Sequence, residues 1–163
     1  MAPFSTGDRI RPGFNRRSRE ISKVTAESLE SVVLVERYPR SKIRVEIEIL
    51  AAEAGTRCAG ITAASVALAD AGIPMRDMIV GVASGKIEDT VVLDLDKAED
   101  NYGQADLPVG LLPNTGEIAV FQMDGDLSID EYNLAMEYNH KAAKEIHEIM
   151  VDALKRRYEG GEA

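Results

Sequence analysis

Ile43-Arg44-Val45-Glu46-Ile47-Glu48-Ile49 decides the fold class. Branched apolar residues at every odd position alternate with charged ones, the period-two pattern of a strand with one face buried and one wet. The segment continues through Ala51-Ala52-Glu53-Ala54 into Gly55-Thr56-Arg57 and then a helix, whose Ile61, Ala64, Ser65, Leu68 and Ala71 share one face. Gly72-Ile73-Pro74 ends that helix, with glycine suited to the left-handed position beyond the C-cap and proline where the helix cannot continue. An alanine-rich face lets the helix approach a sheet closely.

Working outward, residues 1–15 carry Pro3, Gly7, Pro12 and Gly13 and read as an irregular arm. From Ser18 to about Val35, the residues Ile21, Val24, Leu29 and Val32 fall on one helical face, which Tyr38-Pro39-Arg40 interrupts. Met78–Ala83 and Thr90–Leu95 read as two strands of a hairpin around Gly85. Lys97–Leu107 reads as a polar turn region, and Val109–Leu112 and Glu117–Met123 as two further strands joined through Pro113-Asn114-Thr115-Gly116. The last helix, 128–158, opens on a capping box of Ser128 with Glu131 and closes on Lys155-Arg156-Arg157, where cations suit the helix dipole. The pattern predicts an α+β domain with a mainly antiparallel sheet covered by helices.

At 163 residues the chain is long enough to bury a substantial core in one domain. It contains no apolar run of spanning length. The single cysteine, Cys58, excludes an internal disulfide and fits a reducing cytoplasm. The net charge of −9 argues against nucleic acid until its distribution is examined. Residues 1–44 hold 10 basic and 5 acidic side chains, net +5; residues 45–163 hold 9 and 23, net −14. A basic N-terminal region can therefore meet phosphate while the remainder maintains solubility. A solvated charged helix beside an acidic tail would produce the same numbers.

Three stretches carry candidate chemistry. Gly55-Thr56-Arg57 places a strand end against a helix start, where free backbone N–H groups and the dipole welcome an anion; an ordinary helix start with a surface arginine is the plainer reading. Arg16-Arg17-Ser18-Arg19-Glu20 sets cations at a helix N-terminus, where they oppose the dipole unless an anionic partner is present. Glu20 can absorb part of that charge. Asp100 and Asp106, six residues apart in Asp100-Asn101-Tyr102-Gly103-Gln104-Ala105-Asp106, can hold a divalent cation through oxygen, or one can stay protonated as a general acid beside its neighbour's charge. Glu53, Asp94, Asp96 and Glu99 compete for the same roles. Cys58, His140 and His147 read as structural residues, and Phe4, Phe14 and Tyr38 as packing residues.

Taken together and in order, Met1–Thr6, Arg16–Lys23, Ala54–Arg57, Ala63–Met75, Glu99–Asp106 and Gln122-Met123-Asp124-Gly125 resemble the ribonuclease PH family, in particular archaeal exosome catalytic subunits. The resemblance covers nearly the whole chain. It implies a two-layer ribonuclease PH-like fold and a phosphorolytic 3′→5′ exoribonuclease, which releases nucleoside diphosphates from single-stranded RNA and adds tails in reverse. It further implies inorganic phosphate as co-substrate, held by Arg17, Gly55, Thr56 and Arg57, with Arg16 on the RNA backbone. Asp100 is then the general acid and Asp106 its partner carboxylate, the pair being able to hold a magnesium ion. The implied partners are a related non-catalytic subunit in an alternating hexameric ring, and RNA-binding cap subunits. The resemblance also implies a further segment ahead of Met1, supplying the first strands and an RNA-gripping loop, so residues 1–163 correspond to the C-terminal two thirds of the family domain. A non-catalytic, RNA-binding ring paralogue, an inactive fragment that needs the missing part, and a related phosphorylase acting on transfer RNA ends are the rival readings.

Overall fold

The computed structural model describes residues 2, 4, 5 and 16–159; the arm expected over 1–15 otherwise lies outside the described residues. The elements run α1 (Arg16–Val32), α2 (Thr56–Asp70), β1 (Val80–Ile87), β2 (Thr90–Leu93), α3 (Lys97–Tyr102), β3 (Ala105–Leu111), β4 (Ile118–Phe121), β5 (Asp124–Gly125) and α4 (Ile129–Glu159). The sheet has the order β2-β1-β3-β4, with β5 also on β3. Every pairing is antiparallel, as the alternating segments and short turns require.

Alternation along the central strands assigns the two faces. Val80 and Val82 of β1, with Leu107, Val109 and Leu111 of β3, pack on Ala135, Ala143 and Met150 of α4. The opposite face carries Leu29 and Val32 of α1, Ile61, Ala64 and Leu68 of α2, and Ile79, Leu112 and Val120. Helices therefore cover both sides of the sheet, a third layer beyond the two expected. Nothing in the periodicity of α4 distinguishes one sheet face from the other.

α2 is bound to β1 by short-range contacts. Ser65 Oγ accepts from the Ile79 amide at 2.8 Å, and Thr62 Oγ1 accepts from the Gly81 amide at 2.9 Å while donating to the Cys58 carbonyl at 2.9 Å. A Cβ at Gly81 would lie 2.5 Å from the Cys58 carbonyl oxygen and 2.6 Å from its Cα. The C-terminus of α2 is the expected glycine stop. Gly72 has φ +71°, and the amides of Ile73 and Gly72 close on the carbonyls of Leu68 and Ala69. α4 opens on the expected box, with the Ser128 amide donating to Glu131 Oε2 at 2.8 Å. Glu131 also pairs with Lys86 of β1 at 2.6 Å, tying the helix start to the sheet.

Four expectations are corrected. Residues 43–49 form no strand: among the described residues no strand pairs with them, and Ile43, Val45 and Ile47 stay 37–38% exposed. The alternation is present, but a strand needs a neighbour to receive its backbone groups. The segment instead forms one wall of a groove of about 610 Å³ against Ile21, Thr25 and Leu29 of α1. The hairpin turns at Glu88-Asp89, with Glu88 at φ +54°, and Gly85 lies within β1 opposite Val92 and Asp106. The polar turn region resolves into α3 and the start of β3, so Asp100 is helical and Asp106 belongs to a strand. Phe4, read as a packing residue, is 70% exposed.

Gly81→Ala is expected to destabilise the chain by about 1–3 kcal/mol, because the colliding atoms are backbone and cannot rotate away. Chemical denaturation will measure it. A change within about 0.5 kcal/mol, the range of an ordinary surface substitution, would show that α2 does not rest on that strand as described.

Candidate active site

The N-terminus of α2 has no side-chain cap. Its N-cap is Gly55 at φ +60°, preceded by Ala54 at φ +134°, a strained value for a residue with a Cβ. With no side chain on the first-turn amides, they are open to an external acceptor. Two more donors stand beside them without partners: the Thr56 hydroxyl and Arg57 Nε are both buried and unpaired. Buried donors left in this state cost free energy, which an anion arriving there would recover.

Arg57 Nη2 donates to both carboxylate oxygens of Glu20, at 3.1 and 2.9 Å. Gln122 Nε2 donates to the same Glu20 Oε1 at 3.1 Å. The start of α1, the start of α2 and the end of β4 thus meet at one carboxylate. Burial works to raise the Glu20 carboxyl, but the hydrogen bonds from Gln122 and Arg57, joined by the charges of Arg57 and Arg17, hold it below its ordinary value.

Asp106 lies on the face of β3 opposite the α4 core, because its neighbours Ala105 and Leu107 are the buried ones. Gly85 stands opposite it on β1 and Asp124 on β5. Burial raises its carboxyl, and so do the charges of Asp100 and Asp124; Arg57 and Arg17 pull it down, and the balance is upward. The same field reaches Cys58, whose thiol is pushed up to about 12 by burial first and then by Asp106. A thiol held in that form is no nucleophile, which supports a structural role.

The structure therefore brings Arg17, Arg57, Asp100 and Asp106 into one electrostatic neighbourhood, though 83 residues separate Arg17 from Asp100 along the chain. Arg16 is exposed beside Arg17 at the start of α1. Arg17 and Thr56 line one end of the groove, whereas Asp100 and Asp106 do not. The acids and the uncapped turn share a field without sharing that cavity. Asp100 sits on α3, which an Asp96–Glu99 capping box fixes. Among the described residues no group of three or more His, Cys, Asp or Glu could hold a metal ion. Sequence reasoning gave Gln122 and Asp124 no role of their own; Gln122 lies 102 residues from Glu20, and no local pattern announces such a contact.

A profile for the 3′ exoribonuclease family, domain 1, matches residues 1–74, and one for domain 2 of that family matches residues 77–142. The chain belongs to the 3′ exoribonuclease, or ribonuclease PH, family. Within it, the chain is 54% identical over 158 residues to the exosome complex component Rrp41 of Thermoplasma acidophilum, covering 97% of this chain and 64% of that protein. The Rrp41 of Thermoplasma volcanium is 53% identical, with 99% and 67% covered, and that of Nitrosopumilus maritimus 49% identical, with 98% and 66% covered. The chain thus spans about two thirds of the length of these family members. The crystal structure of rice Rrp46 superposes with a TM-score of 0.83 at 22% identity, covering 89% of this chain and 69% of that one, and shares the family fold. No helix among the described residues is long and apolar enough to cross a membrane.

The raised Asp106 carboxyl gives a stability prediction. The folded chain binds this proton more tightly than the unfolded one, so stability is lost as pH rises from the ordinary value of 3.8 through the raised folded value. Asp106→Asn should remove that loss and raise the unfolding midpoint at neutral pH. Thermal unfolding measured across pH checks it; a midpoint equal to or below that of the parent chain at neutral pH contradicts the assignment.

Proposed function

We propose that this chain carries the catalytic site of a phosphorolytic 3′→5′ exoribonuclease acting on single-stranded RNA within an exosome-type ring. One observation supports this most: beside the unpaired Thr56 hydroxyl, Arg57, whose Nε is also unpaired, acts on Asp106, a carboxyl whose surroundings push its pKa up. A site for an inorganic anion and a site for a proton are the two things phosphorolysis needs together.

In this reading, inorganic phosphate is held by the amides of the α2 first turn, the Thr56 hydroxyl and Arg57, with Gly55 allowing close approach. Arg17 offsets the repulsion between phosphate and the scissile phosphodiester, and Arg16 holds the RNA backbone. A phosphate oxygen bonds to the terminal phosphorus in line with the departing 3′ oxygen; that P–O bond breaks, and a nucleoside diphosphate leaves. The 3′ oxygen takes its proton from the Asp100–Asp106 pair, with Asp106 favouring the protonated form and the exposed Asp100 facing the RNA as general acid. Asp100 and Asp106 are the residues that would hold a magnesium ion through oxygen, and such an ion would stabilise charge on the leaving oxygen. A related non-catalytic ring subunit and RNA-binding cap subunits are the partners in this proposal.

One observation favours a second reading, a non-catalytic RNA-binding ring subunit: Asp100 and Asp106 lie outside the groove that Arg17 and Thr56 line. The two readings part at Asp100. With the related ring subunit supplied, the chain should release nucleoside diphosphates from single-stranded RNA only when phosphate is present. Asp100→Asn should cut that rate by about 10²–10⁴-fold while leaving RNA affinity unchanged. A complete ring that releases no nucleoside diphosphate overturns the catalytic reading, and RNA binding without turnover in both chains establishes the second.

A further inference from the structure

Arg57 meets Glu20 through one nitrogen. Nη2 spans both carboxylate oxygens at 3.1 and 2.9 Å, while Nε stays buried and unpaired. Gln122, just past β4, donates to Glu20 Oε1 from the far side at 3.1 Å, so the carboxylate is oriented by an element that Arg57 does not belong to. The Glu20 side chain is 39% exposed and that of Arg57 22%, so the pair is partly sheltered and keeps some access.

We propose that Glu20, set in place by Gln122, is a positioning residue for the phosphate site: it grips Arg57 by Nη2 and so keeps the Nε donor and the guanidinium charge available at the uncapped turn of α2. The inference rests on the phosphate-site reading above. Its physical content is a competition. The other negative charges acting in this neighbourhood include those of Asp106, Asp100 and Asp124, and the charge of Arg57 already reaches Asp106. A guanidinium released from Glu20 would pair with those acids. That pairing would withdraw the arginine from the incoming anion. Glu20 prevents it by offering both carboxylate oxygens to Nη2, with Oε1 also held by Gln122.

Simple charge counting makes the opposite prediction. A carboxylate beside an anion site repels the anion, so neutralising it would tighten phosphate binding. The sign of the effect therefore separates positioning from bulk electrostatics.

Inorganic phosphate is titrated calorimetrically into the full chain, alongside Glu20→Gln, Gln122→Leu, Arg57→Gln and the double variant Glu20→Gln/Arg57→Gln, with unfolding midpoints taken in the absence of phosphate. Positioning predicts that Glu20→Gln weakens phosphate binding by about tenfold, as expected for loss of a charge-assisted hydrogen bond. Gln122→Leu, which leaves the ion pair itself intact, weakens it by about threefold. The double variant binds no more weakly than Arg57→Gln alone, because Glu20 acts only through that arginine. Unchanged or tighter binding in both Glu20→Gln and Gln122→Leu overturns the proposal. Additive losses in the double variant overturn it too, as do losses that merely track a fall in unfolding midpoint. Should the parent chain itself bind no phosphate, the underlying phosphate reading fails and this inference falls with it. Should Arg57→Gln weaken binding while Glu20→Gln does not, only this inference fails.

Discussion

The contact on which the rest depends is backbone against backbone: the first turn of α2 seated on β1 at Gly81, with Cys58 beneath it. Without a Cβ between them, the helix start comes within direct reach of the strand, and Thr62 and Ser65 complete the seat by accepting the Gly81 and Ile79 amides. This contact holds Arg57, the residue before Cys58, on the face of the sheet from which Asp106 projects. The uncapped turn and the acid come from different parts of the chain. Their common frame is the β1–β3 pair, in which Gly81 lies opposite Gly110 and Gly85 opposite Asp106.

Charge is then balanced over short distances. Arg57 faces Glu20 on one side and the field of Asp106 on the other, and Arg17 acts on both carboxylates. Neither acid behaves like an isolated side chain. Hydrogen bonds from Gln122 and Arg57 hold the Glu20 carboxyl below its ordinary value, whereas burial and two neighbouring aspartates push that of Asp106 up. Two carboxylates with opposed tendencies thus flank one guanidinium.

Much of this was legible in the residues, for identifiable reasons. The Gly72 stop, the Ser128–Glu131 box and the order of strands β1 to β4 are local, set by side chains within a few positions of one another. The arginines and aspartates of the candidate site were likewise picked out by short motifs, a Gly-Thr-Arg turn at a helix start and an acid pair among turn formers. Most of what failed was non-local. Residues 43–49 have the correct alternation, yet pairing depends on a neighbour that the alternation does not specify. Lys97–Tyr102 reads as a turn because it is short and polar, but Asp96 and Glu99 cap it into a helix, so the two acids sit on different elements. The Glu20–Gln122 bond spans 102 residues and left no trace in any window.

The unpaired segment has a consequence for motion. Between Ile43 and Glu48 no backbone hydrogen bond of the described chain holds the wall of the groove; the nearest tie is the Ala2 amide to the Ile49 carbonyl at 2.9 Å. Amide protons there lack the protection of a ladder, so this wall belongs to the least costly openings of the molecule, while the β1–β3 pair belongs to the most costly. Arg17 and Thr56 stand at the boundary between the two regimes. Any occupant of that end of the groove would spend part of its binding energy ordering one side and almost none on the other.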